Sequence, residues 1–150
     1  MEPDPRIPAA SIVFGYGPML PLVAVGIGVW VLPGGWPVLA VQLAVIWGAL
    51  ILSFIGGVRR GFGFATPRAS TMAELAAAIA YVAIAGLALV VPRAAIAVAL
   101  LTAGYALAAL VDRRAALSGD APAHLARLRL PQLLVGCAGL AACWAWLMSG

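Results

Sequence analysis

Residues 38–61 read VLAVQLAVIWGALILSFIGGVRRG, and this stretch decides the fold. Twenty-one positions pass without a charge before Arg59 and Arg60 close the run. A bilayer's hydrocarbon core is about 30 Å thick, so a helix needs roughly 20 apolar residues to cross it. The segment predicts a membrane-spanning helix whose arginines stop at the headgroups. The rest of the chain has the same character. Of 150 residues, 65% are apolar and only 9% charged, and the mean hydropathy is +1.09. A water-soluble domain carries about 25% charged residues. This chain has too few to cover a surface facing water.

Working outward, apolar runs at 11–32, 38–58, 73–91, 94–111 and 131–148 predict an all-α bundle of five transmembrane helices in a single domain, 1–150. The polar, proline-bearing residues 1–10 predict an extended tail. The 11–32 run is too long for a signal-peptide core, and Leu32-Pro33-Gly34-Gly35 reads as a turn rather than a cleavage site. Thr71-Met72-Ala73-Glu74 fits a capping box opening the third helix. Pro92-Arg93 is a tight turn. Residues 112–130 read as an interfacial connection, with Pro131 in the first turn of the last helix.

All nine basic residues are arginine. Arg6, Arg59, Arg60, Arg68, Arg113, Arg114, Arg127 and Arg129 fall on one side of a five-span topology, and Arg93 alone on the other. Positive charge stays cytoplasmic, so the N-terminus is expected inside and the C-terminus outside. Trp30, Trp36, Trp144 and Trp146 then lie near the outer interface. The basic balance follows from topology and does not indicate nucleic acid.

Chemistry-bearing residues are sparse. Without lysine, no Schiff-base cofactor can form; a single histidine, His124, cannot hold a haem between two histidines or complete a metal site. Cys137 and Cys143 stand six apart, about 120° around a helix, and cannot pair. Glu74 and Asp112, at helix ends, are explained by capping and pairing with arginine. No catalytic, cofactor or metal residues are assigned. Ala49, Ser53, Gly57 and Gly61 recur every four residues, with Gly56 beside them, and form a small-residue stripe that allows close helix approach within the bundle or to a partner. Gly17, Pro18 and Pro21 predict a kink or break in helix one. Arg59, Arg60, Arg113, Arg114, Arg127 and Arg129 are expected to contact lipid headgroups or a partner at the cytoplasmic face.

The run Ile51-Leu52-Ser53-Phe54-Ile55-Gly56-Gly57-Val58 resembles the signature of a bacterial membrane-protein family of unknown function related to transmembrane protein 69. There a Ser-Phe-Leu-Gly-Gly segment ends a helix and is followed by a His- or Trp-containing segment and Gly. Gly61 matches; Arg59 and Arg60 stand at the aromatic or histidine positions. Gly17-Pro18-Met19-Leu20-Pro21, and Asp112-Arg113 followed by Leu128-Arg129-Leu130, fit as well. The resemblance spans about 11–148 and implies a small multi-pass protein of the bacterial inner membrane, with no particular reaction.

These features lead to a non-catalytic accessory or assembly subunit of a larger inner-membrane complex, an energy-transducing one (respiratory or photosynthetic) first. Its expected partners are membrane lipids and other membrane subunits, and a homo-oligomer is open. One alternative is a small uncoupled carrier or channel for a neutral or lipophilic solute, and another is a lipid-binding scaffold.

Overall fold

The computed structural model describes residues 9–65, 71–117 and 123–150, with the side chains of 11, 14, 15, 62–65, 71, 115, 116 and 123–127 excepted. Residues 1–8 of the expected 1–10 tail, the Thr71 cap, His124 and the contacts of Arg6, Arg68 and Arg127 lie outside the described residues or side chains, while Ala9 and Ala10, expected in the extended tail, begin α1. The described elements are helical: α1 Ala9–Tyr16, a 3₁₀ turn Gly17–Met19, α2 Leu20–Val31, α3 Trp36–Ala65, α4 Thr71–Val90, α5 Ala94–Leu117 and α6 Ala123–Ser149.

Four of these contain stretches long and apolar enough to cross a membrane: Trp36–Gly61, Met72–Val90, Ala94–Arg114 and Leu128–Ser149. The first apolar run is interrupted instead. Pro18 and Pro21 each lack the N–H that an uninterrupted helix would use, and the backbone tightens into the 3₁₀ turn between α1 and α2. Tyr16, Met19 and Leu20 keep right-handed helical dihedrals, so the chain continues as a helix through the turn. The indole of Trp47 on α3 donates a 2.8 Å hydrogen bond to the Pro18 carbonyl. In hydrocarbon, backbone groups around a helix break need such partners. Gly34, at φ +62°, supplies the left-handed residue that the turn between α2 and α3 requires.

Several boundaries differ from the sequence reading, and α3 runs on past Arg59 and Arg60 to Ala65, into what reads as a polar connection. Residues 112–130 are not an open interfacial connection: α5 runs on to Leu117 and α6 begins at Ala123. Pro131 accordingly sits inside α6, not in its first turn. Hydropathy marks where the apolar run ends, while helical hydrogen bonding continues through polar residues that good helix formers such as Ala115 and Ala116 support.

The helices form a ring. Each from α2 to α6 packs on its neighbours in the chain, α6 closes back on α2, and α3 meets α5 across the middle. The interior is filled by Met19, Leu22, Leu52, Leu101, Tyr105, Leu133 and Leu140 among others. Tyr105 fastens α5 to α3 by donating to the Gly48 carbonyl at 2.9 Å. Closure of α6 on α2 depends on two glycines that face each other: a Cβ at Gly26 would lie 2.7 Å from the Gly139 oxygen, and one at Gly139 would lie 2.5 Å from the Leu22 oxygen. Trp30 then donates to the Ala142 carbonyl at 3.2 Å on the same seam. Lipid supplies no hydrophobic drive between helices, so this backbone proximity, with its dispersion contacts, is what holds the ring shut.

Gly139→Leu is expected to destabilise the bundle by about 1–3 kcal/mol or more through overpacking. Thermal unfolding in mild detergent checks this, and a midpoint equal to that of the native chain contradicts the seam.

Candidate functional site: a buried ionic cluster and two outward grooves

Four charged side chains from four helices meet inside one end of the ring. Arg59 on α3 places Nε 2.6 Å from Glu74 Oε2 on α4, and its Nη1 3.3 Å from Asp112 Oδ1 on α5. Arg129 on α6 approaches the other Asp112 oxygen, Nε to Oδ2 3.5 Å. Tyr81 on α4 donates to Asp112 Oδ1 at 3.1 Å. None of the four charged residues is more than 8% exposed. Tyr81 lies seven residues beyond Glu74, about 10 Å further along α4. A helical side chain leans toward its helix's N-terminus, which brings the Tyr81 hydroxyl back to the level of the carboxylates.

The cluster contains two guanidiniums and two carboxylates and is neutral as a whole. Neutrality is what permits it: an unpaired ion in a low-dielectric interior costs several kcal/mol after relaxation. Arginine suits the junction because its planar fork can address two carboxylates on different helices at once. Gln132, one turn along α6 from Arg129, is buried too, and its Oε1 has no hydrogen-bond partner among the described residues.

Sequence reasoning missed this assembly. Glu74 and Asp112 read as helix-end residues explained by capping and pairing with arginine, and Arg59 and Arg129 as headgroup or partner contacts; the structure turns all four inward and joins them. The available signal was that four of the five apolar segments are bounded, at the same side of the bundle, by a charged residue: Arg59, Glu74, Asp112 and Arg129. Arg113 and Arg114 are exposed at that same end, and Arg60 is half-buried.

The small-residue stripe divides into two faces. Ala49 is buried, and a Cβ at Gly56 would come within 3.2 Å of the Ala78 carbonyl, so these two bring α3 close to its neighbours. Gly57 is exposed and Gly61 half-buried, and a Cβ at either would meet nothing within 4 Å. Ser53 is half-buried between the two faces. A groove of about 540 Å³ runs between α3 and α4 past Ser53, Gly56 and Gly57, with Arg60 among its lining residues. Toward the opposite end, between α3, α4 and the start of α5, a second groove of about 300 Å³ is lined by Val45, Ala88, Pro92 and Ala97 with Gln42 among them.

Together these features define a multi-pass helical membrane protein whose ring of helices is bolted at one end by buried ions. The family described as Protein of unknown function (DUF3429) matches residues 7–147, and the chain belongs to that family. No curated protein and no solved structure matches the chain.

Asp112→Leu leaves two buried guanidiniums facing one carboxylate and is expected to cost about 3–5 kcal/mol. Tyr81→Phe removes one hydrogen bond to a charged group and should cost about 2 kcal/mol. Unfolding midpoints of both variants in the same detergent check the order, and equal, negligible losses contradict the cluster.

Proposed function

We propose that the chain is a non-catalytic accessory or assembly subunit of a larger bacterial inner-membrane complex, in a relative of transmembrane protein 69, and that it acts by docking helices of other subunits. The reading takes five spans, with α1, the 3₁₀ turn and α2 together as the first. Laid end to end these span roughly 35 Å, enough for a bilayer core. It takes the cluster end as cytoplasmic, because Arg59, Arg60, Arg113, Arg114 and Arg129 gather there while Arg93 lies in the opposite turn.

The observation that carries the docking role is Gln42. It sits six residues into α3 from Trp36, about 9 Å below that end of the helix, and is exposed on the outward face. Among the described residues no hydrogen bond engages its amide. An amide left facing hydrocarbon is costly, and its remedy is a hydrogen bond across to another helix. The groove beside it, floored by Ala88 and Ala97, gives such a helix room to approach.

The carrier alternative draws on the broken first helix. Against it, the Pro18 carbonyl at the break is already held by Trp47, and the adjoining interior is occupied by Met19 and Leu22.

A mild-detergent pull-down from native membranes, with native-gel sizing and mass spectrometry of comigrating chains, tests the proposal. The native chain is expected to run in a stoichiometric larger complex. Gln42→Leu should fold normally yet weaken that association about three- to twentyfold, in line with interhelical polar contacts of about 0.6–1.7 kcal/mol. A free particle of monomer or small homo-oligomer size across several detergents contradicts it.

A further inference from the structure

The groove between α3 and α4 at the cluster end is a separate feature from the Gln42 face. Its floor is Gly57, where added side-chain atoms would enter open space. Its apolar wall is formed by Leu75, Ala78, Ile79 and Val82 on α4, and Arg60 stands at one end. From Ser53 to Arg60 the groove follows seven residues of α3, about 10 Å, which fits within one leaflet of about 15 Å. Arg60 is one residue short of the end of the apolar Trp36–Gly61 segment, at the depth where headgroups begin.

An apolar trough that ends in a guanidinium at headgroup level matches one kind of molecule. We infer that this groove seats an anionic phospholipid, one acyl chain lying over Gly57 between Ser53 and Ile79, with the phosphate against Arg60. Guanidinium and phosphate pair through several N–H donors of one planar fork, so Arg60 can meet a protein neighbour and a phosphate together. Exposed Arg113 and Arg114 at the same end add to the positive field that draws anionic lipid. A second copy of the chain fits less well, because a two-fold contact through this groove sets one Arg60 against the other. A soluble phosphate compound gains nothing from the apolar trough. The inference needs a bilayer around the chain but no partner subunit.

Native mass spectrometry of the full chain tests it, with the protein released from micelles doped with equal phosphatidylglycerol and phosphatidylcholine of identical acyl chains. One phosphatidylglycerol should be retained per chain, at roughly fivefold preference over phosphatidylcholine. Arg60→Gln should bring the two lipids to parity. Gly57→Leu, whose Cβ meets no atom within 4 Å, should fill the trough and abolish retention of both while circular dichroism stays native. Arg114→Gln, off the groove, should keep most of the preference. Parity of the two lipids on the native chain overturns the inference, as does a preference that survives both Arg60→Gln and Gly57→Leu. A dimer mass that Gly57→Leu removes, with no lipid adduct, overturns it in favour of a second copy.

Discussion

Everything at the charged end of this protein depends on Asp112. Its two carboxylate oxygens face Arg59 from α3 and Arg129 from α6, and one of them also receives the Tyr81 hydroxyl from α4. Because Arg59 reaches on to Glu74, a single connected set of charges ties α3, α4, α5 and α6. Such a cluster is a poor source of net stability, since desolvating four ions consumes most of what their attraction returns. What it supplies is discrimination. A helix that slips or splays by one turn leaves an ion unpaired in an apolar surrounding, and that arrangement is excluded. Among the described residues the other half of the ring has no such device and relies on proximity, through Gly26 against Gly139 and the Tyr105 bond to Gly48.

The membrane-spanning pattern was legible in the sequence because it needs only length and apolarity: the runs at 38–58, 94–111 and 131–148 lie within helices, and that at 73–91 does so up to Val90. An irregularity in helix one near Gly17, Pro18 and Pro21 was legible too, since proline's missing N–H acts locally; it is a 3₁₀ turn through which the chain stays helical. Two things were not. Helical periodicity shows that small residues share a face, but it cannot tell which way that face points; Gly56 meets the Ala78 carbonyl while adjacent Gly57 meets nothing. The ionic cluster is non-local. Arg59 and Asp112 are 53 residues apart, and each alone is an ordinary helix-end charge. Reading 112–130 as an open connection hid Arg129 as well, because a loop arginine points to water whereas one on α6 is aimed by the helix.

With the cluster closing one end and large side chains filling the middle, the features still open to other molecules lie on the outside. Gln42 presents an amide toward hydrocarbon at one level, and the Gly57 trough with Arg60 lies at the other. α3 and α4 line both grooves, with Ala94 and Ala97 of α5 in the second, and this pair is the one that the Arg59–Glu74 contact joins.

The measurement that tests this account most directly is a double-mutant cycle on Arg59 and Glu74, by reversible unfolding of Arg59→Met, Glu74→Leu and the combined variant. Removing this pair together leaves Asp112, Arg129 and Tyr81 in contact. The account predicts that each single variant loses about 3–5 kcal/mol and that the double variant recovers most of it, since no buried ion is then abandoned. Additive losses, or single variants as stable as the native chain, would contradict a bundle held in register by buried charge.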